Sequence, residues 1–356
     1  MIIQQKVLAQ KIKQLKAFVP KNPTLPVLAS ILVDDGKMIA NSIEYGCCVN
    51  VDEAKGDRFL IPQKVFDIIL SLPDAELRME ASDREVKLIS DGGIEHVYLT
   101  EDPSTFPLPG IEAGEISVGF RADSLMENLR RVLFAVSKDS PNIVMGCMAI
   151  QGDGSYINFT GLDGHTIATT KIAGKQEFEL LIPRRVIELI TGMRPEGKME
   201  VSFNRKMVTF KTEDSYIFAR LSVSKKYFNW KEMMEGQPKD EMVVNRMELV
   251  DACMRAKLCS YSGNKVPVIL SFRGNAVEIS SRGDGSFYKE TVTMLDEISE
   301  PLRIGMDPDI LANMLRAIQD ENVVIGVTSP KSPVFILGYD KETTFKALGL
   351  PVTIAQ

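Results

Sequence analysis

The 356-residue sequence is poor in the residues that most chemistry needs. It has only two histidines, His96 and His165, which removes most multi-histidine metal sites and most Ser-His-Asp arrangements. Its five cysteines, Cys47, Cys48, Cys147, Cys253 and Cys259, are odd in number and lack CxxC spacing. They read as reduced thiols of a cytoplasmic protein rather than a zinc site or a disulfide frame. Neither GxxxxGKS/T nor GxGxxG occurs, so no P-loop or dinucleotide fingerprint is present. No apolar run approaches the roughly 18 residues of a membrane helix. The N-terminal stretch, with scattered lysines and no small-residue cleavage site, does not read as a secretory leader. The expectation is a protein with no metal, no cofactor, no catalytic residue and no membrane. Lys+Arg number 42 against 48 Asp+Glu, a net charge of −6, and taken whole this acidic balance argues against a nucleic-acid partner.

What is present is a repeat. Leu60-Ile61-Pro62-Gln63-Lys64-Val65-Phe66 reads as a strand end, a proline in the first helical turn, then a helix. Leu181-Ile182-Pro183-Arg184-Arg185-Val186-Ile187 and Ile304-Gly305-Met306-Asp307-Pro308-Asp309-Ile310 repeat that pattern at intervals of about 120 residues. A second helix recurs near the start of each third, with apolar residues three and four apart: Leu8/Ile12/Leu15, Leu125/Leu129/Val132/Val136 and Leu249/Cys253/Ala256. Short alternating segments between them, such as 77–80, 86–89, 199–203, 207–210 and 276–279, read as strands. Asp34-Asp35-Gly36, Gly152-Asp153-Gly154 and Gly283-Asp284-Gly285 read as turns. The fold class is α+β: three similar domains over 1–114, 115–238 and 239–356, each with two helices and about eight strands.

The repeat also sorts the charge. Helices read over 6–19, 62–73, 122–138, 183–195, 245–259 and 307–319 hold 15 basic and 8 acidic residues, a net of +7 that leaves −13 on the remainder. Basic helix faces on an otherwise acidic molecule attract a polyanion to one surface only.

In this order and spacing the motifs resemble the β subunit (β sliding clamp, processivity factor) of bacterial DNA polymerase III, over essentially the whole chain. The carrying residues are Pro23-Thr24-Leu25-Pro26-Val27-Leu28, the helix opener Ile61-Pro62-Gln63-Lys64 followed by Leu72-Pro73, and Phe106-Pro107. In the middle third they are Asp163-Gly164-His165 and Ile182-Pro183-Arg184-Arg185. The resemblance implies a head-to-tail homodimer closing a ring, with helices lining the hole, around duplex DNA that is held without reading sequence. It implies that the DNA polymerase III catalytic subunit, the clamp loader and other proteins with clamp-binding peptides are partners, and that the chain is not an enzyme.

Carried over by position, DNA contact falls to Lys11, Lys13, Lys21, Asn22, Lys64, Arg130, Arg131, Lys138, Asn142, Arg184 and Arg185. The partner-peptide pocket comprises Val144, Leu162, Gly164, His165, Thr166, Ile167, Phe228, Glu232, Met233, Leu348, Leu350, Pro351 and Val352. The dimer joint takes Lys64, Phe106 and Leu108 on one side and Leu258 and Cys259 on the other, with Phe106 as the aromatic anchor and Asp284 and Glu290 as the nearest acidic groups. The chain departs from the family at Thr166, where an arginine is usual, at Phe228, where a proline is usual, and at Glu232, where an arginine or similar residue is usual. The lost positive charge implies a divergent member with a taste for less acidic peptides. A protein-interaction scaffold without DNA, and a hydrolase using an unidentified acid–base pair, are the competing readings.

Overall fold

The computed structural model describes residues 1–354 apart from 83, 91–92, 111–113, 222–225, 260–265 and 284. Among the described residues are seven α-helices and 24 strands, distributed evenly over the three thirds of the sequence. The first third carries β1 (Ile2–Gln4), α1 (Gln5–Lys16), β2 (Ser30–Asp34), β3 (Lys37–Asn41), β4 (Tyr45–Asn50), β5 (Arg58–Pro62), α2 (Gln63–Ser71), β6 (Glu76–Ser82), β7 (Glu85–Ser90) and β8 (Ile94–Leu99). The second carries β9 (Ile116–Arg121), α3 (Ala122–Leu133), β10 (Cys147–Asp153), β11 (Tyr156–Leu162), β12 (Thr166–Ala173), β13 (Glu177–Pro183), α4 (Arg184–Met193), β14 (Lys198–Phe203), β15 (Met207–Lys211), β16 (Ser215–Arg220) and the short α5 (Trp230–Met234). The last carries β17 (Asp240–Asn245), α6 (Arg246–Lys257), β18 (Val268–Arg273), β19 (Ala276–Gly283), β20 (Ser286–Thr293), β21 (Leu302–Met306), α7 (Pro308–Arg316), β22 (Asn322–Val327), β23 (Val334–Gly338) and β24 (Lys346–Gly349). The fold is α+β, as the periodicities predict.

The helices form where the apolar stripes fall. α1 buries Leu8, Ile12 and Leu15, and α6 buries Leu249, Cys253 and Ala256, each leucine or isoleucine contributing roughly 1.5–3 kcal/mol. The helix expected over 122–138 stops at Leu133. The Arg184 guanidinium accounts for the stop: it donates to the carbonyls of Leu133 (2.8 Å) and Val136, capping the negative end of α3. The expected first-turn prolines divide. Pro308 is the first residue of α7, behind the Asp307 side chain, which accepts from the backbone of Asp309 (2.8 Å) and Ile310 (3.3 Å). Pro62 and Pro183 instead end β5 and β13, where an edge strand tolerates a missing N–H. The turn at Asp35-Gly36 has both central residues at positive φ, 42° and 80°, the primed geometry that suits a twisted hairpin.

Every strand pairing is antiparallel. Two eight-stranded sheets run β5-β2-β3-β4-β16-β15-β14-β9 and β13-β10-β11-β12-β24-β23-β22-β17, and two four-stranded sheets run β1-β6-β7-β8 and β20-β19-β18-β21. Within each third the order is the same. Its fifth, second, third and fourth strands make one half-sheet, and its eighth, seventh, sixth and first make the other. The eight-stranded sheets arise where the fourth strand of one third meets the eighth strand of the next: β4 with β16, and β12 with β24. By contacts the chain forms two compact units, Met1–Met126 with Glu188–Val223, and Glu127–Ile187 with Ser224–Gln356. Each unit contains one eight-stranded and one four-stranded sheet.

Candidate peptide cleft and nucleic-acid interface

The second compact unit carries an apolar cleft of about 370 Å³ beside the β12–β24 pairing. Its geometry starts at Asp163. The Asp163 carboxylate accepts from the backbone N–H of His165 (2.9 Å) and Thr166 (2.7 Å), and Gly164 at φ +93° completes the turn. The His165 carbonyl accepts from Leu350 N–H at 2.9 Å, which ties the turn to the end of β24. Asp163-Gly164-His165 is therefore a docking turn for the last strand, and the exposed His165 lines the mouth of the cleft.

Leu162, Gly164, His165, Thr166, Ile167, Phe228, Met233, Leu348 and Leu350 line this cleft, as expected. Met145 and Pro333 also line it and were not expected from the sequence; both are loop residues outside the periodic segments that mark helices and strands. Four expected members do not line it. Val144 is buried in the hydrophobic cluster together with Trp230, Tyr227 and Phe335. Glu232 accepts from the Asn229 amide at 2.8 Å. Pro351 and Val352 have left the cleft, and Val352 bridges to Gly305 on β21, donating to its carbonyl at 2.9 Å.

The cleft is apolar and firmly based. Met233 and Leu350 are 52% and 40% exposed at its mouth, and among the described residues no charged side chain lines it. Thr166 is 2% exposed, and among the described residues its hydroxyl has no hydrogen-bond partner. Around it, Trp230 donates from its indole to the Gln151 side chain at 2.8 Å, and Lys346 donates to the Met234 carbonyl at 2.8 Å. Burial pushes the Lys346 amine down and the Cys147 thiol up to about 11. Asp153, in the hairpin turn, is held down to about 2, chiefly by the backbone N–H of Tyr156, with Ser155, Asn158 and Lys231 adding to it.

The basic residues sit on the predicted helices and loops. Lys13 on α1 and Lys64 on α2 are exposed and Lys11 on α1 is partly buried, and none of the three makes an ion pair among the described residues. Arg130 and Arg131 lie on the last turn of α3, and Arg185, the second residue of α4, is exposed. Arg131 pairs with Glu127 at 2.7 Å, and its buried Nε has no partner among the described residues. Arg316, at the end of α7, joins Arg130 and Arg131 around a recess of about 350 Å³; the sequence reading did not single it out. Arg184, expected to face DNA, is committed to the end of α3. Lys21, Asn22 and Lys138 are exposed in loops, and the Asn142 carboxamide turns back to accept from Val144 N–H at 3.1 Å.

At the expected joint, Phe106 is 3% exposed and packs with Val27, Leu28, Leu32, Ile39, Cys48 and Leu60 in the chain's own core. It is not an exposed anchor. Leu108 and Leu258 are exposed (52% and 76%), as is Lys64, and Cys259 is half-buried. Asp284 lies outside the described residues, and Glu290 is held by Arg255 at 2.7 Å and by the Tyr288 hydroxyl. Exposed apolar side chains missed in the sequence stand on the free edges of the four-stranded sheets: Val97 and Leu99 on β8, Phe287 on β20. No metal-binding cluster occurs among the described residues, and no helix there is long and apolar enough to cross a membrane.

Residues 233–353 match the sequence profile described as the C-terminal domain of the DNA polymerase III beta subunit. The Beta sliding clamp of Synechococcus elongatus is 24% identical over 94% of both chains, and that of Halalkalibacterium halodurans 23% over the same shares. The DNA polymerase sliding clamp of Bacillus subtilis superimposes with a TM-score of 0.91 at 20% identity over 99% of both chains. The DNA polymerase III subunit beta of Pseudomonas aeruginosa gives 0.90 at 17%, covering 99% of this chain and all of its own. The chain is thus similar over nearly its whole length to bacterial β sliding clamps and shares their fold, and its last third matches the C-terminal domain of the DNA polymerase III beta subunit.

Proposed function

We propose that two copies of the chain close head to tail into a ring that encircles duplex DNA and tethers the replicative polymerase and other partners, without catalysing a reaction itself. The observation that carries this reading is the strand plan. Fourth strand meets eighth strand at both joints within the chain, which leaves the fourth strand of the last third, β20, and the eighth strand of the first, β8, as matching open edges. A contact between two different edges is heterologous, and it forms a ring when the rotation from copy to copy closes. Two chains of three domains, divided as 1–114, 115–238 and 239–356, supply six such units.

Exposed lysines on α1 and α2, and the arginines around the end of α3, suit non-specific contact with phosphates. Because a ring is retained by topology, that attraction can stay weak and the protein can slide. The apolar cleft suits an extended partner peptide with bulky aliphatic or aromatic side chains, such as the clamp-binding segments of the polymerase and the clamp loader. Reduced, buried thiols fit a cytoplasmic protein.

The test is retention on DNA. Loaded onto nicked circular duplex, the protein should stay bound in salt that strips ordinary phosphate contacts, and it should run off once the circle is cut. Equal loss from circular and linear DNA overturns the ring; no association with DNA under any loading condition favours a protein scaffold.

A further inference from the structure

We propose that Lys346 is a positioning residue for the apolar cleft: its ammonium pins the C-terminal end of α5 and so holds the Met233 wall in the shape that a partner peptide binds. This rests on the cleft reading and specifies what keeps that site preformed.

The short α5 (Trp230–Met234) has five residues. A helix of that length does not hold itself, so contacts with the sheet must set its place. Three of them gather at its start. The Trp230 indole donates to the Gln151 side chain on β10 at 2.8 Å, and Lys231 pairs with Asp153 at the end of β10 at 3.3 Å. Just before the helix, the Tyr227 hydroxyl donates to the Thr160 carbonyl on β11 at 3.4 Å. The far end is held differently. Lys346 on β24 donates to the Met234 carbonyl at 2.8 Å, with its ammonium 5.1 Å from the centre of the Phe335 ring. The last carbonyls of a helix lack partners within it, and a cation is favoured there. Among the described residues, Lys346 is the only side chain that donates to this end of α5.

The cleft depends on that end. Met233, at the mouth, directly precedes Met234, which is buried in one cluster with Trp230, Phe335 and Leu348. Once the Met234 carbonyl loses its donor, the end of α5 is free to lift, and Met233 moves with it. Lys346 itself does not line the cleft, so it acts through α5 and not by touching the peptide. Nor does its charge hold the fold together. Burial pushes its pKa down and Glu241 opposes that only in part, so water accommodates this ammonium better than the folded chain does. What the contact supplies is the shape of the cleft.

The variant Lys346→Met keeps the length of the side chain and removes the donor. Peptide binding is read from the polarisation of a fluorescein-labelled peptide of leucine, serine and phenylalanine titrated with the full chain. The variant should bind about tenfold more weakly, as expected when the wall is in place in about a tenth of the molecules. Its melting temperature should match that of wild type. Trp230 gives a second measurement. It is the only tryptophan in the sequence, it is 8% exposed, and it lies one turn from Met234 on the same face of α5. Acrylamide should quench its fluorescence more in the free variant than in free wild type. Saturation with unlabelled peptide should bring the variant to the level of peptide-bound wild type, because binding restores the wall. Binding as tight as wild type overturns the positioning role. Weaker binding with Trp230 as shielded as in wild type also overturns it, since Lys346 would then be a contact of the peptide. Weaker binding with a lowered melting temperature overturns it too, by making Lys346 a support of the fold. A wild-type chain that does not bind the peptide overturns the cleft reading and the positioning role with it.

Discussion

The two joints inside the chain share one strand plan and differ in what covers them. At the first, the hairpin of β3 and β4 ends on the pair Asn41 and Gly46; at the second, the hairpin of β11 and β12 ends on Leu162 and Ile167. Gly46 lies opposite Phe218, and a Cβ there would sit 2.3 Å from the phenyl ring and 2.4 Å from the Ala40 carbonyl. Asn41 donates to the Pro107 carbonyl at 2.7 Å, drawing the segment with the buried Phe106 over the sheet. At the second joint Ile167 faces Leu348, among the described residues nothing ties Leu162 down in that way, and the apolar surface stays open as the cleft. A repeat can therefore keep its backbone and open an apolar cleft by leaving one lid off. The cost is exposed apolar surface and a buried hydroxyl, on Thr166, without a partner.

Removing a ring from each joint breaks the comparison most strongly. Phe106→Ala should cost about 3–5 kcal/mol of folding stability, as a buried phenylalanine does. Phe228→Ala, half-buried at the rim of the cleft, should cost well under half of that while abolishing most peptide affinity. Denaturant unfolding of both variants decides the first point, and titration with a fluorescent apolar peptide the second. Should Phe106→Ala melt like wild type and only dissociate the dimer, Phe106 is an interface anchor after all and the first joint is not closed by it.

Much of this was legible in the sequence. The stripes Leu8/Ile12/Leu15 and Leu249/Cys253/Ala256 gave α1 and α6 because helical periodicity is a local property. The cleft was legible in most of its residues because they cluster in two short segments, 162–167 and 348–350, that pair as β12 with β24. Phe106 misled because an aromatic beside a proline in a loop looks the same in sequence whether it plugs its own sheet or a partner's. Its burial depends on Val27, Leu32 and Leu60, which are distant in the chain. Arg184 misled for a related reason: its commitment to the Leu133 carbonyl exists only once α3 ends there. Val97 and Phe287 stood out only when β8 and β20 proved to be free edges, which is a fact of topology.

A smaller effect probes the first joint alone. Gly46→Ala forces a Cβ against Phe218 and the Ala40 carbonyl, and the carbonyl is backbone that cannot step aside. The expected cost is about 1–3 kcal/mol, the usual range for overpacking. A Gly46→Ala protein as stable as wild type would mean that the first joint has slack, and that its closure is not what separates it from the second.

The smallest effect should have the opposite sign. Thr166 is buried with its hydroxyl unpaired, so the native state carries a desolvation cost that a methyl group in the same place would not. Thr166→Val keeps the shape and the β-branching that a strand favours, and in the peptide-free protein it should raise stability by about 0.5–1 kcal/mol. Asn41→Leu, an equally apolar change at the first joint, should lower stability instead, because it strips a partner from the Pro107 carbonyl. Thermal melts of the two variants at equal concentration read the sign directly. A loss at Thr166 as large as that at Asn41 would show that the hydroxyl is satisfied in solution, and that the second joint gives up nothing in order to stay open.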